Sequence, residues 1–293
     1  MSSRIRFSPS GYFGWKGGLL WIPVLLLAVV ILGPLGAEAE RGTVQQVFDG
    51  DTILLHDGRR VRYLGINAPE YQEPFSLKAK RFNEKLVLGK EIRLEFDEEQ
   101  SDGHGRLLAY VYAGDQFVNA RLVEGGLAHA FFIAPNRKHR ELLLRLQAEA
   151  KRKRLGMWSA RGGAQDLKIT SVRPARPDDH DPQAPYVRVT SLSDGSLSLR
   201  GYVLSNERGD RFVFPDLTIE PGETVVISGA DESRGLAGSS RQPVLAWPQQ
   251  QSVWDPKEDT AFLFSPGGVL VDRFHYKGKR VSGRGRGAKK RPR

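Results

Sequence analysis

Val47 to Glu70 reads "VFDGDTILLHDGRRVRYLGINAPE", and its punctuation decides the fold of the first half of the chain. Two β-prone runs flank Asp57-Gly58, a dipeptide that takes the positive backbone angles of a tight hairpin at little cost. Ile53 to His56 and Arg60 to Ile66 are therefore expected to pair antiparallel. Upstream, "TVQQVF" (Thr43 to Phe48) supplies another strand, joined to the hairpin by Asp49-Gly50-Asp51. Downstream of Pro74 the period changes, and Ala79, Phe82, Leu86 and Val87 fall on one helical face that Gly89 ends. "EIRLEF" (91–96) and "RLLAYVYAG" (106–114) alternate as half-buried strands do. Two further helices are expected, Val118 to Glu124 before Gly125-Gly126, and Asn136 to about Arg154. The second carries Leu142, Leu143, Leu146 and Ala150 on one stripe, with "KRKR" at the end where the helix dipole favours cations. Five strands with three helices suit a small β-barrel of OB type with helical cover.

The chain has 293 residues, enough for two ordinary domains. Its net charge of +10 resembles a nucleic-acid footprint, but nine of the 44 basic residues lie in 277–293, "KGKRVSGRGRGAKKRPR". The remaining 35 face 34 acidic side chains, so the basic excess belongs to that tail, which is too rich in glycine and charge to build a core. It suits loose contact with phosphates or anionic lipid, or simple solubilisation. There is no cysteine, which excludes disulfides, thiolate chemistry and cysteine-held metals. At the other end, Arg4, Arg6 and Lys16 precede "LLWIPVLLLAVVIL" (19–32), then Gly33-Pro34 and Ala37-Glu38-Ala39. That order describes residues 1–39 as an export signal cleaved near Ala39, with an uncleaved membrane anchor as the competing reading. Either places the rest outside the cytoplasm: periplasmic, secreted, or anchored and facing outward.

The expected barrel domain spans 40–160 and a linker 161–166, within "SARGGAQD" (159–166). Beyond it the helical period disappears. "LKITSV", "YVRVTS", "LSLRGYVLS", "RFVF", "TVVIS", "AFLFS" and "VLVDRFHY" are short, β-rich and separated by turn residues. About seven such strands over 167–276 point to an antiparallel, immunoglobulin-like sandwich. The fold class is thus multidomain, a five-stranded OB barrel with three helices followed by an all-β sandwich and the basic tail 277–293.

Polar residues of the first domain gather at expected strand ends and turns. Asp49 and Asp51 flank Gly50, Arg62 lies on the third strand, Asn67-Ala68-Pro69-Glu70 follows it, and Arg106 opens the strand after "SDGHG". Two arginines and two or three carboxylates converging on one barrel edge would suit phosphodiester hydrolysis. That reaction needs cations to hold the phosphate, a metal to share its charge, and a carboxylate to position or deprotonate water. Each residue also has a plain structural explanation: Asp49-Gly50 as a turn, Arg62 as the partner of a sheet carboxylate. Other chemistries fail on spacing. Asp49-Gly50-Asp51 opens like an EF-hand loop, but Ile53 offers no ligand and Arg60 occupies the closing glutamate's place. No paired histidine spacing, Gly-Lys-Ser/Thr phosphate loop or Gly-x-Ser-x-Gly elbow occurs.

"VFDGDTILL", "RYLGINAPE", "DGHGRLLAYVY", "VNARLVEGGLAH" and "RLQAEAKRKRLGMWS" stand in the order of the staphylococcal nuclease (thermonuclease-like) family, and residues 43 to 159 resemble it. The resemblance implies an OB-fold, calcium-dependent nuclease acting on DNA and RNA. By motif, it implies Asp51 as a calcium ligand, Asp49 as a carboxylate behind it, and Arg62 as a phosphate-binding arginine. It implies Glu70 as general base and Arg106 as the second arginine stabilising the transition state. Where the best-known members have Asp-Thr-Pro-Glu, this chain has Asn67-Ala68-Pro69-Glu70. The second calcium carboxylate is replaced by the Asn67 amide, with the Ala68 backbone carbonyl as the next oxygen; calcium accepts such oxygens, in a site expected to be weak. The family stacks tyrosines near the bound nucleotide; His104, Phe131 and Phe132 offer aromatic faces here, with ordinary core packing as the other reading for the phenylalanines.

"LSLRGYVLSN", "RFVFPDLTIEPGETVVIS" and "VWDPKEDTAFLFSPGGVLVDRFHY" are similar to the lamin-tail domain, an immunoglobulin-like sandwich found beside extracellular bacterial nucleases. It implies a binding or tethering role. The expected whole is an exported calcium-dependent nuclease acting on DNA, RNA or both; the reading from another class is a non-catalytic, surface-tethered nucleic-acid-binding protein.

Overall fold

The computed structural model describes residues 40–159, 165–175, 185–228, 242–247 and 253–277. The leader (1–39), most of the linker and nearly all of the basic tail lie outside these described residues.

Strand β1 (Arg41–Val47) pairs antiparallel with β2 (Thr52–Leu55), and β2 with β3 (Arg60–Tyr63), which sets Thr52 opposite Arg62. The hairpin turns at Asp57-Gly58, where Gly58 has φ 87°. The strand expected to run to Ile66 ends at Tyr63, because Gly65 adopts φ 73° and swings the chain out of the sheet. Ile66–Asn67 then forms a separate short strand, β4. Helix α1 (Ser76–Val87) leads to β5 (Glu91–Glu95), which pairs with β1. β6 (Leu107–Ala113) pairs antiparallel with β5 and parallel with β3, Val61 opposite Leu107. That last pairing closes a five-stranded barrel. After β7 (Gln116–Phe117) come α2 (Val118–Glu124), β8 (His129–Ala130) and α3 (Arg140–Arg152). β8 pairs with β4, setting His129 opposite Asn67.

The core follows strand alternation: Val44, Ile53, Leu55, Val61, Ile92 and Val111 are fully or almost fully buried and meet Leu122 of α2 and Leu143 of α3. Burial of each leucine or isoleucine side chain contributes about 1.5–3 kcal/mol. Two details of α3 differ from expectation. It begins at Arg140, since the Asn136 side chain is committed to the Glu99 backbone, accepting from its N–H at 2.8 Å and donating to its carbonyl at 2.9 Å. Its buried face includes Gln147 beside Leu143 and Ala150, whose Oε1 accepts from the Ala130 N–H at 2.7 Å and anchors β8.

The second half is a sandwich. One sheet has the order β16-β15-β10-β9, built from β9 (Leu167–Arg173), β10 (Tyr186–Ser191), β15 (Thr224–Ser228) and β16 (Val244–Ala246). The other has β12 (Val203–Ser205), β13 (Arg211–Val213), β17 (Glu258–Phe264) and β18 (Leu270–Lys277), in the order β13-β12-β17-β18. A small ribbon joins β11 (Leu197–Ser198) to β14 (Thr218–Ile219). Leu167, Ile169, Val187, Val189, Val225 and Ile227 of the first sheet pack on Leu204, Ala261 and Leu263 of the second, beside an edge-to-face pair of Trp247 and Trp254. Short β14 and β16 were not legible in the sequence, and a turn at Leu199–Tyr202, with Gly201 at φ 77°, interrupts the run expected from Leu197 to Ser205.

The barrel and sandwich are joined by specific polar contacts. The Phe132 N–H donates to the Gly222 carbonyl at 2.9 Å, and the Ala134 N–H to Gln242 Oε1 at 2.9 Å. Arg137 pairs with Glu223 at 3.2 Å, Arg140 donates to the Pro221 carbonyl at 3.0 Å, and Lys168 pairs with Glu73 at 2.5 Å.

Candidate active-site cleft

The Asp49-Gly50-Asp51 turn is pressed against two other elements. A Cβ on Gly50 would lie 2.5 Å from Ala68 Cβ and 2.9 Å from Ala79 Cβ, so only glycine lets the turn reach the Asn67–Glu70 loop and α1. Asp49 Oδ1 accepts the Asp51 N–H at 2.9 Å, and the buried Asp51 carboxylate accepts from the Ala68 N–H at 2.6 Å and Thr52 Oγ1 at 3.1 Å. Burial pushes the Asp51 carboxyl up to about 7; Arg62 pulls it down, while Asp49 and Glu70 add to the rise.

Arg62 is held at both terminal nitrogens. Nη1 donates to the carbonyls of Tyr63 and Ile66 at 2.7 and 2.9 Å, and Nη2 donates to Asn67 Oδ1 at 2.7 Å while standing 3.3 Å from Asp51 Oδ2. Asn67 in turn points Nδ2 at His129 Nε2, 3.4 Å away, and His129 Nδ1 lies 2.9 Å from the Ala130 carbonyl. That network assigns the proton to Nδ1 and leaves Nε2 an acceptor. Burial, aided by Lys168, Arg62 and Lys151, outweighs the Ala130 hydrogen bond and holds His129 down at about 3, so it is neutral near neutral pH. An amide satisfies both neighbours, whereas a carboxylate at position 67 would face the lone pair of His129.

Glu70 is exposed at the mouth, and its carboxylate makes no hydrogen bond among the described residues. Desolvation by the surrounding wall pushes it up against the pull of Arg62, and Asp49 and Glu73 add to the rise. Its backbone N–H donates to Glu73 Oε2 at 2.8 Å, and Glu73 Oε1 meets Lys168 of the sandwich, so the second domain braces this loop. Arg106 is tied back to Asp102 through Nε at 2.8 Å and Nη2 at 2.7 Å, and Asp102 Oδ1 also caps the turn at His104. Burial would raise the Asp102 carboxyl, but Arg106 outweighs it and holds it below the usual range.

These residues share one cleft of about 380 Å³, into which Arg62, Asn67, Glu70, His104, Arg106 and Phe131 all open. Asp49, Asp51 and Ala68 do not line it. Phe132 does not reach it: 2% exposed, it belongs to the barrel core, so it offers no face to a base. Sequence reasoning missed His129, whose only signal was a histidine inside the apolar run "LAHAFF". It also missed the sandwich residues lining the far wall, including Ser171, Tyr186 and Arg188. Among the described residues no three His, Asp or Glu side chains converge as a metal site. The oxygens that could hold a hard cation are the Asp51 carboxylate, the Asn67 amide and backbone carbonyls such as that of Ala68. The two side-chain oxygens already turn toward one cationic atom, Arg62 Nη2, and an all-oxygen set with one buried carboxylate fits calcium.

A closed OB barrel carrying arginines and carboxylates in one cleft suits phosphodiester hydrolysis, and the comparisons point to a nuclease. Residues 60–160 match the family "Staphylococcal nuclease homologue", and residues 161–278 match "Lamin Tail Domain". The chain is 37% identical over 157 residues to a thermonuclease of Staphylococcus intermedius, spanning 46% of this chain and 94% of that protein. It is 33% identical over 132 residues to a thermonuclease of Staphylococcus hyicus, covering 42% of this chain and 78% of the relative. Endonuclease YncB of Bacillus subtilis is 36% identical over 131 residues, 41% of this chain and 62% of its own. The chain belongs to the staphylococcal nuclease homologue family, with a lamin-tail domain following the nuclease barrel.

Proposed function

We propose that the protein is an exported, calcium-dependent endonuclease that hydrolyses phosphodiester bonds of DNA, RNA or both. The observation that carries this reading is the single cleft shared by Arg62, Asn67, Glu70 and Arg106. Arg62 and Arg106 grip non-bridging oxygens of the scissile phosphate. Glu70, open to solvent and with a raised carboxyl, takes a proton from water as the water oxygen bonds to phosphorus and the opposite P–O bond breaks, the departing sugar oxygen taking a proton from solvent to leave as the alcohol. Asp51, Asn67 and the Ala68 carbonyl, with Asp49 behind them, would hold calcium, which when bound would supply positive charge to offset the charge growing on the phosphate. His104 and Phe131 offer faces on which bases stack. The leader supports export, and mass determination of the mature N-terminus tests its cleavage.

The deciding experiment incubates the full chain with single-stranded DNA and with RNA, in calcium or in chelator. Cleavage in calcium alone is the expected result. Equal cleavage in chelator overturns the calcium requirement, and binding without cleavage in either condition replaces hydrolysis with simple nucleic-acid capture.

A further inference from the structure

The far wall of the cleft belongs to the sandwich. Arg188 on β10 stands opposite Ser171 on β9 and Val226 on β15, so these three form one row across the sheet. Their neighbours Val187 and Val189 point into the sandwich core, which leaves Tyr186 and Arg188 on the opposite face, the one turned to the barrel. Tyr186, Arg188, Ser171 and Val226 all line the same cleft as Arg62, Glu70 and Arg106.

Arg188 differs from the other two arginines there. Arg62 is committed to Asp51 and Arg106 to Asp102, whereas no carboxylate pairs with Arg188 among the described residues. Its guanidinium instead lies 4.4 Å over the ring of buried Tyr186. Its Nε and the neighbouring Ser171 Oγ are shielded from solvent and have no hydrogen-bond partner among the described residues. A buried donor left unpaired is costly, and a ligand that satisfies it recovers that cost. A charged fork with its stem packed and donors unspent suits an anionic, multi-oxygen ligand, as a phosphate is.

We propose that the lamin-tail domain is part of the substrate site: Arg188, with Ser171 beside it, binds a phosphate of a single-stranded nucleic acid, flanking the phosphate that the barrel cleaves. The proposal rests on the nuclease reading of the cleft and extends it to a second domain. A cleft of about 380 Å³, walled by a sheet face on one side and the Glu99–Arg106 loop on the other, admits one strand rather than a duplex. A strand lying on this wall must extend beyond the scissile linkage, so Arg188 discriminates by length.

The test uses the full chain with Arg188→Gln and Arg188→Lys. Anisotropy of a fluorescent 12-nucleotide single-stranded DNA, in chelator and across a salt series, reads binding without cleavage. Arg188→Gln should weaken binding about tenfold and reduce the salt slope by about 0.7, the contribution of one phosphate contact on a single strand. Arg188→Lys should recover most of that slope. In calcium, Arg188→Gln should raise KM for the 12-mer about tenfold and leave kcat/KM for a dinucleotide within about twofold. An unchanged slope and KM overturns the proposal. So does an equal loss on both substrates, or a loss in both variants accompanied by a lowered melting temperature, since each makes Arg188 a structural residue. If the wild type binds the 12-mer but cleaves neither substrate, the nuclease reading fails while the binding series still decides the role of Arg188.

Discussion

Asn67 is the residue at which the cleft departs from a two-carboxylate cation site, and its neighbours explain the amide. One end donates toward His129 Nε2 and the other accepts from Arg62, and an aspartate could do only the second. Restoring the charge should strengthen the proposed cation site at the expense of that contact. Asn67→Asp is expected to raise calcium affinity about tenfold by calorimetry, since each added carboxylate strengthens such sites. Unchanged affinity would remove Asn67 from the metal. Glu70 offers the complementary test of chemistry rather than binding. Glu70→Gln keeps the size and removes the proposed base, so kcat should fall by about 10² or more with little change in KM. A variant as fast as the wild type assigns the base elsewhere.

At the scale of elements, the closed barrel and the packing of α3 hold the cleft in place, and one carboxylate ties the two together. Glu95 at the end of β5 receives Lys138 at 2.5 Å and His139 at 3.1 Å, from the turn that starts α3. Burial would raise its carboxyl, but the bonds from Lys138, Tyr112 and His139 outweigh this and bring it down from 4.5 to about 2. The folded value lies below the unfolded one, so this stabilisation is fully present above about pH 4.5 and is lost as the pH falls toward 2. Glu95→Gln should therefore lower the thermal midpoint at neutral pH, and the two midpoint curves should converge between pH 4.5 and 2. Parallel curves through that window would contradict the clamp. None of this was legible in "EIRLEF", which reported only alternation: a strand pattern says which face is wet, not which helix supplies its partners.

At the scale of the whole molecule, the sandwich is a wall and a brace rather than a detached appendage. Lys168 reaches across to Glu73, and Glu73 holds the Glu70 N–H, so a contact made by the second domain steadies the loop that carries the proposed base. Lys168→Met is expected to lower kcat about three- to tenfold while leaving KM for a dinucleotide nearly unchanged, because orientation rather than substrate contact is lost. Steady-state kinetics on the full chain would check this, and an unaltered kcat would show that the loop holds itself.

The sequence by itself determined the elements and the chemical inventory. Asp57-Gly58 set the hairpin, alternation and helical spacing set the barrel order, and turn-separated runs set the sandwich, because these signals depend on residues a few positions apart. The same local motifs carried Asp51, Arg62, Glu70 and Arg106, all from one half of the chain. Only the tertiary structure decided who meets whom. It paired Arg62 with Asp51 and Asn67, put His129 beside the amide, sent Phe132 into the core, brought Ser171, Tyr186 and Arg188 to the same cleft as Arg62 and Arg106, and set Lys168 against Glu73. Such meetings follow from barrel closure and domain docking, which act on the shape of assembled surfaces and leave no periodic trace along the chain.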